Sequence, residues 1–220
     1  MIFENKKHLL LVILFVLIFS SCSKYRENKH ELVINDLIQN YEKPKIDFDL
    51  YDIDCEKIDD LLTEIYKNDQ DVRNNGVGNM EDVDDKNLQI FTSIVLKCGF
   101  PNKQQIKSKE SEIAIFLVIQ HSSPEWIAYY YKQFISAVES GVLNKNFLPF
   151  IQDRFLSYNN KPQIYGTQIK DEHLYMLSDP YGVNKRRKKM GLGEIESYLE
   201  SFGLDFETEI KRFQNNSTFN

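Results

Sequence analysis

The chain is short of almost everything that advertises a particular chemistry. Its 220 residues include 3 cysteines and 4 histidines. There is no Cys-x-x-Cys or His-x-x-x-His pair, so the usual ligand spacing of a zinc site is missing. A glycine-rich phosphate loop, a serine elbow and a paired-carboxylate signature are missing as well. Positive charge is in deficit: 27 Lys and Arg face 33 Asp and Glu, a net charge of −6. That balance argues against a nucleic-acid partner and against electrostatic adhesion to anionic lipid. Internal repeats are absent. The unbroken apolar run from Leu9 to Phe19 has 11 residues, and a bilayer span takes about 20.

What stands at the start of the chain is Lys6-Lys7, that apolar run, then Ser20-Ser21-Cys22. Two cations before a short apolar segment read as an export signal. The small residues before Cys22 resemble a lipobox, where bacterial lipoproteins are acylated on the cysteine and cut just before it. Phe19 stands where that box usually has Leu. Acyl chains on Cys22, at about 0.8 kcal/mol per buried CH₂, would anchor the protein to a membrane. Loss of Glu4, Lys6 and Lys7 takes the net charge to −7, so attachment has to come from the lipid. Ser23-Lys24-Tyr25-Arg26 lacks the acidic cluster that resembles a surface-export tag, which favours a periplasm-facing position. The expected parts are a signal peptide over 1–21, a lipidated tether over 22–50, a globular domain over 51–210 and a polar tail over 211–220. Outside the cytosol Cys55 and Cys98 can pair. Two unpaired, partly buried thiols are the alternative.

Apolar periodicity predicts a mainly α, single compact domain of about six helices with one small β-hairpin near the C-terminal third. Ile58, Leu61, Leu62, Ile65 and Tyr66 mark one helix, stopped by the Asn74 to Asn79 stretch with its two glycines; Leu88, Phe91, Ile94, Val95 and Cys98 mark another, ended by Gly99. Ser111 to Gln120 is apolar nearly all round, which periodicity alone assigns to neither helix nor strand; its helical neighbours favour helix. Ser123-Pro124-Glu125 starts a helix ending near Gly141, and Asn146 can cap the next. Gln163 to Ile169 and His173 to Leu177 alternate as strands do. A last helix is expected from Glu194 to Phe202.

Polar clusters border these elements: Asp69-Gln70-x-x-Arg73, Gln120-His121, Asp153-Arg154, Gln163-x-Tyr165-Gly166-Thr167-Gln168, and Arg187 followed by Gly191-Leu192. In this order and spacing they resemble DUF6624, a bacterial family of uncharacterised domains, from about Asp69 to Tyr198. Lys107 departs from the glycine that the family pattern has there. The resemblance implies a shared fold and a shared polar site and brings no established activity.

Chemistry therefore rests on residue types. His121 closes an apolar helix and is the one histidine in a plausible site, the others lying in the leader, the tether and a strand. It is the candidate acid or base, with Asp153 or Asp69 as its carboxylate partner; a histidine that merely closes its helix is the competing reading. Arg73, Arg154 and Arg187 either converge on an anionic group, or structural ion pairs form, Arg154 with Asp69 or Arg73 with Asp153. Gln163, Tyr165, Thr167 and Gln168, with Gln70 and Gln120, offer hydrogen bonds to a sugar or peptide, or a turn that satisfies its own backbone. Lys185 to Lys189 reads as a solvated run with Arg187 turned inward. No cofactor or metal is expected. Beside the membrane, the expected partner is an unknown polar ligand or envelope protein. The expected function is a lipid-anchored envelope protein that binds this partner in a polar pocket. The alternative is an envelope hydrolase or transferase that uses His121 with a carboxylate.

Overall fold

The computed structural model describes residues 30–76 and 78–217, with side chains as far as 214. The leader and Cys22 lie outside the described residues. The chain divides into Met1–Asn40 and Tyr41–Asn220. In the first unit the described part is a helix, α1, over 30–39.

The second unit is mainly helical, as the periodicity predicts. Its helices are α2 (Ile58–Asn75), α3 (Met80–Cys98), α4 (Lys109–His121), α5 (Pro124–Glu139), α6 (Leu148–Tyr158), α7 (Val183–Lys189), α8 (Ile195–Glu200) and α9 (Phe206–Ser217). The apolar segment left open by periodicity is helix α4, started by the Ser108 side chain accepting from Ser111 N. Pro124 opens α5 as expected, but the Ser123 hydroxyl donates to Glu125 Oε2 at 2.6 Å rather than capping the backbone. The loop before α4 accommodates Lys107: its N–H donates to Asp59 Oδ1 at 2.7 Å, and it is not among the residues with positive φ.

Helices α2 to α6 share one core, filled by Phe91, Tyr130, Tyr131, Phe134 and Phe155. A second apolar cluster, Leu174, Leu177, Val183, Ile195 and Leu199, gathers the C-terminal part. Cys55 and Cys98 are joined in a disulfide, tying the entry of α2 to the end of α3. Of the two open readings, this is the paired one.

Three boundaries differ from expectation. Residues 41–50 were expected in the tether but belong to the globular unit. Their aromatic side chains give the reason: Tyr41 donates to Asn159 Oδ1 at 3.0 Å and packs on Phe155, and Phe48 packs on Trp126. Helix α9 runs through the start of the expected polar tail, because Phe206 and Phe213 lie on one face and pack on the second cluster. The hairpin is shorter than the alternation predicts: β1 (Ile169–Lys170) pairs antiparallel with β2 (His173–Leu174), and beyond them Gln163 bridges Leu177. The backbone N–H groups of 164, 165 and 167 have left the ladder for a side chain.

Candidate functional site

Asp69 and Arg73 are four apart on α2 and so share a face. His121 ends α4 and meets them there. Its Nδ1 lies 2.9 Å from Asp69 Oδ1, while Gln70 Nε2 donates to the other oxygen at 2.8 Å. Arg73 Nη1 lies 2.8 Å from Asp69 Oδ1, an ion-pair contact without the alignment of a hydrogen bond. Arg73 Nη2 reaches both oxygens of Asp84 on α3, at 2.9 and 2.8 Å.

Asp69 is 1% exposed. Burial drives its carboxyl upward, but the His121 hydrogen bond and charge, the Arg73 charge and Gln70 outweigh it and hold Asp69 below the usual carboxylate range. A carboxylate only accepts, so Nδ1 carries a proton toward it. Nε2 of His121 has no hydrogen-bond partner among the described residues, and the side chain is 17% exposed. A fixed imidazole with one nitrogen held by a buried acid and the other open is the arrangement of a general acid or base.

Asp69, Asp84 and His121 also offer three ligand atoms within 4.8 Å of one another, a mixed nitrogen and oxygen set suited to a transition metal. Arg73 already supplies positive charge to both carboxylates. A metal ion here has to displace that guanidinium and take the Nδ1 proton.

Asp153 is elsewhere. Fully buried on α6, it accepts from Ile164 N at 2.7 Å, from Tyr165 N at 3.1 Å, and from Thr167 N and Oγ1, both at 3.0 Å. Burial pushes it up to about 6 despite these donors. Arg186 Nε donates to Ile164 O at 2.8 Å and Arg187 Nη1 to Tyr165 O at 2.9 Å. The Gln163 side chain closes the loop on itself, donating to Gln168 O and Tyr175 O and accepting from Gln168 N. Gln168 Nε2 donates to Thr167 Oγ1, and Tyr198 donates to Thr167 O. Gln163, Thr167 and Gln168 are buried, so this segment is a self-satisfied clasp rather than a row of free amides.

Gln120 precedes His121 in the chain, and its partner Arg154 follows Asp153. A guanidinium only donates and a carbonyl only accepts, which assigns the amide: its oxygen to Arg154, 3.1 Å from Nη2 and 3.0 Å from Nε, and its NH₂ to Phe150 O at 3.0 Å.

The structure thus brings together Gln70, Asp69, Arg73 and His121, pairs Gln120 with Arg154, and gathers Asp153, Gln163, Tyr165, Thr167, Gln168 and Arg187 in the clasp. The three arginines do not converge on one group, and neither expected ion pair forms: Arg73 pairs with Asp69 and Asp84, Arg154 is held by Gln120, and Asp153 is filled by the donors of residues 164, 165 and 167. Sequence reasoning missed Asp84, which sits in the run Glu81 to Asp85 and reads there as ordinary acid at a helix start. It also missed Arg186, hidden in the basic run.

Compared with known proteins, the chain matches one model of a family of unknown function, over residues 56–210. No curated protein matches it, and no solved structure does.

Proposed function

The chain belongs to DUF6624, and from that premise we propose that it is an exported, lipid-anchored envelope protein whose working centre is the His121–Asp69 pair, acting as general acid and base on a polar substrate in a hydrolase or transferase reaction. One observation carries the catalytic half: His121 is held through Nδ1 by a buried carboxylate, at 2.9 Å, while Nε2 is left open. Asp69 orients the ring and offsets the imidazolium that forms when Nε2 takes a proton. Arg73 fixes Asp69 in turn and is itself held by Asp84. Asp153 has no part in this role.

The anchored half rests on Lys6-Lys7, the apolar run and Ser20-Ser21-Cys22. The Cys55–Cys98 disulfide is consistent with an oxidising compartment. Among the described residues no helix is long and apolar enough to cross a membrane.

A second reading, a binding pocket without catalysis, is favoured by Arg73, whose bonds to Asp69 and Asp84 also make the cluster a closed ion-pair network.

The full-length protein, screened in detergent against chromogenic esters, amides, phosphoesters and glycosides, tests the catalytic half. Turnover lost in His121→Ala and reduced in Asp69→Asn supports it. Turnover untouched in both, or none with any substrate class, supports the binding reading. Metabolic labelling with an alkynyl palmitate tests the anchor: label is expected on the wild type and absent from Cys22→Ser. A wild type that takes no label removes the anchor.

A further inference from the structure

Five arginines lie among the described residues, and four have their charge answered. Arg73 faces Asp69 and Asp84, Arg186 faces Asp179, and Arg212 faces Glu209. Arg187 is 3% exposed, donates to Gly193 O and Tyr165 O, stacks on the Tyr198 ring, and has Asp153 near.

Arg154 differs. It is partly exposed on α6 and forms no ion pair among the described residues; its hydrogen-bonding partner is the oxygen of Gln120. An amide oxygen that takes Nε and one Nη2 proton fixes the fork as a carboxylate would, yet leaves the full positive charge uncancelled. The rest of the fork, Nη1 and the second Nη2 proton, is donor capacity without an acceptor among the described residues. Gln120 is itself locked, because its NH₂ group is spent on Phe150 O. A half-buried guanidinium held rigid by a neutral group is a receptor prepared for an oxyanion, since no resident carboxylate has to be displaced.

The geometry points to an anion-binding subsite at Arg154, oriented by Gln120, the chain neighbour of His121, that takes an oxyanion such as a phosphate or carboxylate group. Binding at this subsite stands on the Arg154–Gln120 pair alone. That the same ligand is the substrate of His121 rests on the proposed catalytic reading.

Calorimetric titration of the full-length protein in detergent with inorganic phosphate, and separately with acetate, at constant ionic strength in chloride tests it. Saturable binding of at least one of the two is expected, and the stronger tells phosphate from carboxylate chemistry. Arg154→Met should weaken it at least tenfold. Gln120→Glu should do the same by cancelling the charge while still holding the fork. Because this second change turns a carboxylate oxygen toward Phe150 O and risks the fold, Arg154→Met is the deciding variant, with its melting curve taken alongside. His121→Ala should leave phosphate or acetate binding within about twofold, which separates failure of the subsite from failure of the acid and base role. Neither anion binding the wild type, or binding unchanged in Arg154→Met, overturns the subsite.

Discussion

Asp153 and Arg187 hold one residue between them: Tyr165 gives its N–H to Asp153 at 3.1 Å and its carbonyl oxygen to Arg187 at 2.9 Å. Ile164 repeats the arrangement with Asp153 and Arg186. A buried carboxylate is costly unless donors and nearby positive charge answer it. Here three donors are backbone N–H groups and the fourth is the Thr167 hydroxyl, and the positive charge arrives through backbone carbonyls.

The pH dependence of stability follows from two acids shifted in opposite directions. Asp153 is raised to about 6, so the folded state binds its proton more tightly than the unfolded chain. Stability from this group is greatest at acid pH and falls as pH rises from about 4 to about 6, by up to about 3 kcal/mol at 1.36 kcal/mol per unit. Asp69 is lowered, so its contribution is present above the ordinary carboxylate range and is lost as pH falls through and below it. Urea unfolding at intervals from pH 3 to pH 8 should show a maximum near pH 4 to 5. Asp153→Asn should cost about 2–3 kcal/mol, since an NH₂ then faces N–H donors, and should flatten the upper slope. A slope unchanged in this variant counts against the assignment.

Gly166 adopts φ +71°, and the space a methyl would take is filled by Ile195 Cδ1. Gly166→Ala should destabilise by about 2–3 kcal/mol, from the left-handed conformation and the displaced side chain together. Gly203, also left-handed at φ +70° but with open space around it, should lose only about 1 kcal/mol on the same change. Equal losses at the two glycines would remove the packing part of this account.

Arg73→Met leaves buried Asp69 and partly buried Asp84 without their shared cation. A loss of about 3 kcal/mol is expected at pH 7, shrinking at acid pH as buried Asp69 takes up a proton. Chemical denaturation at both pH values reads it. A pH-independent loss would mean that the arginine acts through packing alone.

The Cys55–Cys98 bond closes a loop across a sequence separation of 43, which by chain entropy is worth about 4 kcal/mol. Unfolding midpoints with and without a reducing agent should differ accordingly. Identical midpoints would show that the bond carries no stabilisation.

Much of this was legible in the sequence, for physical reasons that also mark where legibility stops. Helical periodicity carried α2 to α6, and the scarcity of histidine singled out His121. Asp69 and Arg73 stand in one polar cluster of the sequence, but the ion pairs expected there, Arg154 with Asp69 or Arg73 with Asp153, overlook that i, i+4 spacing puts Arg73 beside Asp69. Asp84 could not, since a lone acid in the run Glu81 to Asp85 owes its role to an antiparallel neighbour that spacing does not announce. The Gln163 to Gln168 segment alternates like a strand in sequence, yet all of it but Tyr165 is buried. Its ladder is cut short because Asp153, ten residues earlier, outcompetes a neighbouring strand for the N–H groups, a contest decided by tertiary packing. The disulfide is an open alternative in the sequence because nothing there fixes whether the two Cβ atoms come within bonding distance, which the packing of α2 against α3 decides.

The clasp has one more consequence. The apolar clusters around Phe134 and around Leu174 would pass for separately folding halves, but the carboxylate that organises the second is planted on a helix of the first. A nick or truncation after α6 should therefore do more than shed a C-terminal appendage. It would strand Asp153 in the interior with its four donor groups gone, so that the remaining bundle loosens from within and the two clusters melt together.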